Sequence, residues 1–377
     1  MNVSHVEKIA DAVLYEGYIL YPYRPSSVKN QQRWNFGALC PESYSLAQHG
    51  TESWTMQTEC LVQQTSGTNL EIKVRFLHLL TREVGRRIAD CQLPIAECGH
   101  FQVEISDSHF ALEPALEVNG QLFQTGQEAV EREVYLPAFN VSSAIANPRS
   151  LNFSFPSSEE VEPFRDEHNG EMKGVMVRKQ QAVEGLIEVR ISRCAVRRDE
   201  SLKRDPQSAI SNPQAEGLSK ISVRILNLTP FEEAFDKSRD EALMRSFVST
   251  HTILGVRDGQ FVSLLDPPAE FSQASQSCNN IGTYPVLAGE EGSNDCMLSS
   301  PIILYDYPQI ARESAGNLFD GTEIDEILTL RIMTLTDDEK REMRGADDRA
   351  RQILERTETL PAEQLMKMHG AMKGVKK

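Results

Sequence analysis

WTMQTECLVQQTSGTNLEIKVRF, residues 54–76, sets its apolar side chains at every second position: Trp54, Met56, Cys60 and Val62, then Leu70, Ile72, Val74 and Phe76. Successive Cβ atoms of a strand point to opposite faces, so a period of two marks strands with one face buried. The same alternation returns at Phe101, Val103 and Ile105, across Val130 to Leu136, and at Ile187, Val189, Ile191 and Ile221, Val223, Ile225. Val118-Asn119-Gly120-Gln121 carries the Asn-Gly pair of a tight hairpin. Thr81 to Asp90 is the one helical pattern of this region. Short alternating strands parted by turn residues predict an antiparallel sandwich rather than a parallel sheet, which needs intervening helices.

Outward from this region the pattern changes. Ser4 to Leu14 reads as an amphipathic helix, capped by Ser4 with Glu7 and placing Val6, Ile9, Ala10, Val13 and Leu14 on one face. Phe155 to Glu171 and Arg197 to Gly217 are polar and turn-rich, and read as loops. Glu232 to Val248 reads as a helix. Thr252 to Val256 and Gln260 to Leu265 flank Arg257-Asp258-Gly259 as a hairpin, Asp266 to Pro301 reads as a long loop, and Ile302 to Tyr305 as a short strand. The C-terminus is helical: Glu323 to Met333, then Asp337 to Thr357 behind a Thr336 and Glu339 capping box, with Met343, Ala346, Ala350, Ile353 and Leu354 as a narrow stripe. Pro361 opens a last turn. The expected fold is α+β, mainly β: an N-terminal helix and aromatic/basic arm (1–50), a central antiparallel β-sandwich-like domain (51–230), an α+β region (231–335) and charged C-terminal helices (336–377).

The 377 residues, 40% hydrophobic and 25% charged, have the composition of a globular chain long enough for two or three domains. No apolar run approaches the about twenty residues of a membrane span. The opening MNVSHVEKIADAV lacks the basic-then-apolar order of a secretory signal, so the expected location is cytoplasmic. A net charge of -16 opposes sequence-independent binding to nucleic acid and suits either a basic partner or simple solubility. The 7 cysteines are scattered, with no CxxC pair, as reduced thiols are.

Chemistry-bearing residues concentrate near the N-terminus. Tyr18, Tyr21, Tyr23 and Trp34 interleave with Arg24 and Arg33, a mixture of rings and guanidinium groups suited to gripping a partner protein. The competing reading is that these rings pack as core, with the arginines paired to carboxylates. Cys91, Cys98 and His100 bring two thiols and an imidazole together, ligand types for nickel, iron or zinc, though their spacing matches no common knuckle. Buried structural cysteines are the alternative. The carboxylates of Gly289 to Cys296, of Tyr305-Asp306-Tyr307 and of Asp320 to Glu323 lie on turns, where a hard cation competes with plain solvation as their purpose. His251, with Ser249 or Cys278 and with Asp258 or Asp266, can be drawn as a hydrolytic triad, but sequence supplies no geometry for it.

Four segments carry a resemblance: YEGYILYPYRPSSVKNQQRWNFG (15–37), VSTHTILGVRDGQFVSLLDPP (248–268), SSPIILYDYPQIA (299–311) and LFDGTEIDEILTLRIMTLTDDEK (318–340). The chain resembles a family of uncharacterised bacterial proteins encoded among the structural and maturation genes of NiFe hydrogenases. The resemblance implies a context, assembly or maturation of a nickel-iron enzyme, with a hydrogenase subunit or maturation protein as partner. It transfers no catalytic residue. The expectation is a non-catalytic accessory or assembly factor acting by protein binding, without a cofactor. The alternative is a metal-binding maturation protein or an enzyme acting on hydrogenase metals or their ligands.

Overall fold

Strand β1 (Thr55–Arg87) is the spine of the molecule, and most of the other strands are hydrogen-bonded to it or to its neighbours. The computed structural model describes residues 3–14, 35–88, 110–194, 217–309, 332–346, 348–359 and 361. Among them, eleven strands form one antiparallel sheet. The remaining strands are β2 (Phe110–Glu113), β3 (Ala115–Val118), β4 (Gln121–Gln124), β5 (Gly126–Asn140), β6 (Arg149–Phe155), β7 (Ser158–Arg165), β8 (Met172–Gln180), β9 (Val183–Cys194), β10 (Gly217–Asn227), β11 (Val248–Val262), β12 (Tyr284–Ala288) and β13 (Cys296–Ser300). Along one side β1 pairs first with β10, then β5, then β2; along the other it pairs first with β11, then β8. β9 and β6 extend the β10 side, and β13 and β12 extend the β11 side.

The continuous sheet folds over itself, giving the mainly β, sandwich-like architecture expected from the alternation. Val134 and Leu136 of β5 pack in one core with Ile187 and Val189 of β9 and with Ile221 and Val223 of β10. Phe76 of β1 sits at the centre, fully enclosed by the rings of Phe153, Phe155 and Phe247. Strands from both sides of residue 230 belong to this sheet. Helix α1 (Val3–Leu14) buries Val6, Ile9, Ala10 and Val13, the predicted face, against Ile253, Val286 and Leu298. Its acids are ion-paired to β1: Asp11 to Arg75 at 2.7 Å and Glu7 to Lys73 at 2.5 Å. Of the short helices, α2 (Glu42–Ala47) and α4 (Arg239–Leu243) share a small cluster of Tyr44 and Ala47 with Ala242, and α3 (Val141–Ala146) packs Val141 and Ala144 into the central core.

Several expectations are corrected, each because a distant partner outweighs local pattern. Thr81 to Arg87 is strand, since β5, β2 and β8 supply hydrogen bonds on both sides. Phe155 to Glu171 is not a loop: β7 pairs with β8, whose basic residues answer its acids, Arg178 reaching Glu162 at 2.9 Å. Arg257-Asp258-Gly259 is not a hairpin turn but runs inside one continuous β11, and the bulge lies opposite it, where residues 65–68 of β1 face the single residue Asp258. Asp258 takes φ 56°, the Thr65 hydroxyl of β1 donates to its carbonyl at 3.0 Å, and β1 shifts register at the same level. Helix in 232–248 shrinks to α4, started by a Ser238 and Glu241 capping box and stopped because Phe247 must pair with Leu39. Asp266 to Pro301 contains helix α5 (Ser272–Gln276), β12 and β13, and Pro285 is tolerated because β12 is an edge strand. Residues 302–305 are not a strand.

At the C-terminus the Thr336 and Glu339 capping box forms, but the stripe is divided between two helices, α6 (Asp337–Ala346) and α7 (Asp348–Thr359). Met343 and Leu354 are buried with Ile332 and Leu335, so these two stripe residues cluster within the chain itself. The Arg82 guanidinium donates to the Gly345 carbonyl at 3.0 Å and ties α6 to the sheet. The Asn119-Gly120 hairpin forms as expected, with φ 51° and 77°. Phe101 to Ile105 and nearly all of Arg197 to Gly217 lie outside the described residues, as do Glu323 to Arg331.

Candidate functional site

The arm residues Tyr18, Tyr21, Tyr23, Arg24, Arg33 and Trp34 lie outside the described residues, and so do Cys91, Cys98 and His100. The chain is described again from Asn35, one residue beyond Trp34, and there it builds a surface feature. Residues 36–39 run antiparallel to the start of β11: the Ser249 N–H donates to the Phe36 carbonyl at 3.0 Å, the Thr250 N–H to that of Gly37 at 3.1 Å, and Leu39 and Phe247 exchange both bonds. Farther along the same side of β11, β13 takes over and delivers Ser300, after which the chain turns around the edge of β12. The turn is held by Asp306, which accepts from the Leu287 N–H at 2.8 Å and from the Ser263 hydroxyl at 2.5 Å, and by the Tyr307 N–H on the Leu287 carbonyl.

These two strips, 35–39 and 300–305, meet at Gly37 and Pro301. A Cβ at Gly37 would stand 2.5 Å from the Pro301 Cβ, and Gly37 adopts φ 55°, so only glycine closes the contact. Beside the contact is a pocket of about 250 Å³, lined by Gly37, Leu39, Met56, Gly282, Tyr284 and Pro301. Large apolar side chains lie exposed on the same two strips and beside them. Phe36 is 45% exposed, Tyr284 47%, Ile303 71% and Tyr305 85%, whereas Leu304, between the last two, is buried beside α1. A backbone fixed by hydrogen bonds therefore holds rings and an aliphatic chain out in water, the reverse of what folding alone selects.

The hydrolytic triad does not assemble. His251 is fully buried, with Nδ1 2.6 Å from the Ser249 carbonyl oxygen and Nε2 3.1 Å from the Ser300 hydroxyl. Asp258 lies seven residues farther along the same strand, its carbonyl engaged by Thr65 and Thr68. Burial lowers the pKa of His251, and likewise of His78, to about 4. The thiols move the other way: burial raises Cys40 and Cys278 to about 11 and Cys296 to about 12, which disfavours the nucleophilic thiolate. Two of the turn carboxylates are engaged within the chain, Asp306 as described and Asp295 with Ser293 at 3.0 Å, while Asp320 and Glu323 fall outside the described residues. Among the described residues no three His, Cys, Asp or Glu side chains gather as a metal-ligand set, and no helix is long and apolar enough to cross a membrane.

Phe36 and Tyr305 both lie within segments that carry the family resemblance, but no local signal brings them to one surface. Ile302 to Tyr305 reads as a short apolar strand, and nothing local says that Gly37 touches Pro301.

No family model and no curated protein matches the chain. Among solved structures, the secretin InvG of the Salmonella SPI-1 type III secretion injectisome aligns over 59% of this chain and 68% of that chain, at 12% identity and a TM-score of 0.09. A structure of the injectisome basal body proteins InvG, PrgH and PrgK aligns over 59% of this chain and 48% of that one, at 12% identity and the same TM-score of 0.09. Likeness at that level carries no argument about fold or function.

Proposed function

We propose that this chain is a non-catalytic accessory or assembly factor for a NiFe hydrogenase, working in the cytoplasm by binding a hydrogenase subunit or maturation protein. One observation carries the binding role: Phe36, Tyr284, Ile303 and Tyr305 form an exposed apolar rim on and beside two strips that meet at Gly37 and Pro301, and Tyr284, Gly37 and Pro301 also line a pocket of about 250 Å³. A pocket of that volume suits a single anchoring side chain of a partner, ringed by contacts that exclude water. The rim also begins two residues after Trp34, at Phe36, so the aromatic and basic residues of the arm lead into it along the sequence. The hydrogenase context rests on the resemblance of the four segments alone.

The test is capture of hydrogenase components by the tagged full chain in its native host, read by mass spectrometry. The wild type is expected to retain them, and Ile303→Ser with Tyr305→Ser to lose them while remaining folded. Equal capture by the folded double variant would end the assignment of the rim. Elemental analysis of the same preparation separates the alternative: stoichiometric nickel, iron or zinc, lost in Cys98→Ser, would replace a binding factor by a metal-carrying one.

A further inference from the structure

We propose that His251 is a positioning residue that couples the two strips of the rim into one recognition surface, an inference that rests on the binding role above. Hydrogen-bond logic assigns every proton around the imidazole. The Ser249 carbonyl oxygen can only accept, so Nδ1, 2.6 Å away, carries the hydrogen. Burial keeps the ring neutral, and Nε2 must then accept from the Ser300 hydroxyl at 3.1 Å. The Ser300 oxygen in turn accepts the Ile302 N–H at 3.1 Å. At the opposite end, the peptide unit whose carbonyl receives Nδ1–H donates its own N–H, that of Thr250, to the Gly37 carbonyl at 3.1 Å.

Donor follows donor in one direction, from Ile302 through Ser300 and His251 to the Ser249–Thr250 peptide and on to Gly37. Each bond polarises the next, so the chain is stiffer than its separate links. Ile303 and Tyr305 follow its first member in sequence, and Phe36 precedes its last. Ser249 sits at φ 54°, a conformation rare for a residue with a Cβ, and the strain falls on the residue whose carbonyl receives the imidazole. Arg75 is the cross-strand partner of His251 on β1 and the charged group bearing on it; its guanidinium is engaged by Asp11, Glu131 and Glu133. His251 and Ser300 are both 0% exposed, so the Ser300 hydroxyl is out of reach of any substrate. Their bond serves position rather than hydrolysis.

Amide hydrogen exchange on the full chain tests the coupling without a partner. Ser300→Ala cuts one link and leaves His251 in place; Ser300→Thr returns a hydroxyl. The Ser249 and Thr250 amides, which lie beyond the imidazole from Ser300, are expected to exchange about tenfold faster or more in Ser300→Ala and to recover in Ser300→Thr, while the β9–β10 ladder keeps wild-type protection. A rise confined to residues 300–302 would overturn the coupling, and so would one spread evenly over the sheet. If the wild-type chain captures no hydrogenase component yet this exchange pattern holds, the partner assignment falls and the coupling stands.

Discussion

Around Phe76 and around Gly37 the chain treats apolar side chains in opposite ways. Phe76 is fully enclosed by three other phenylalanines on β6 and before β11, and its surroundings are assembled from strands whose own alternation turns apolar groups inward. At Gly37 the backbone is fixed as firmly, through Ser249, Thr250 and the contact with Pro301, yet Phe36, Ile303 and Tyr305 are left outside. Burial explains the first region. The second spends backbone order on holding apolar surface in water, an arrangement that stability does not reward and that binding does.

The largest expected effect lies in the first region. Phe76→Ala removes a fully buried ring from a core with rings on three sides, and should cost about 3–5 kcal/mol in denaturant unfolding; a loss under 1 kcal/mol would mean that the enclosure is looser than its packing. Acid acts on both regions through His78 and His251. Both folded-state pKa values are lowered from 6.5 to about 4, so below about 6.5 the unfolded chain takes protons that the folded one refuses. Stability is therefore full above that pH and falls progressively towards about 4, by up to about 3 kcal/mol per imidazole. Urea unfolding at several pH values reads this slope, and His78→Leu should make it shallower.

Gly37→Ala sharpens the contrast, because it adds one carbon in the second region and nothing in the first. A Cβ at 2.5 Å from Pro301, on a backbone at φ 55°, should cost about 2 kcal/mol and part the two strips, seen as faster exchange at 36–39. Arg75→Met breaks the ion network that pins α1, but Asp11, Glu131 and Glu133 are partly solvated, so the expected loss is about 1–2 kcal/mol, read as thermal destabilisation. Ile303→Ser with Tyr305→Ser should change stability least, within about 0.5 kcal/mol, while abolishing partner capture. A large loss of stability there would show that the rim is core after all.

What the residues settle alone is local. The period of two identified the core face of β1, β9 and β10, Asn119-Gly120 the hairpin, Val6 to Leu14 the buried face of α1, and Thr336 with Glu339 a helix start, because each depends on neighbours within a few positions. What lies across a strand is invisible at that range. The Asp258 turn signal is absorbed into a continuous β11 because residues 65–68 of β1 bulge opposite it and Thr65 and Thr68 take its carbonyl, Glu162 of β7 is paired because β8 brings Arg178 to it, and the stripe on α6 and α7 is divided because the chain folds back there. The same holds for the rim. Sequence supplied its rings and its glycine, but the meeting of Gly37 with Pro301, and the hydrogen-bonded path beneath them through His251, exist only once residues far apart in the chain are brought within reach of one another.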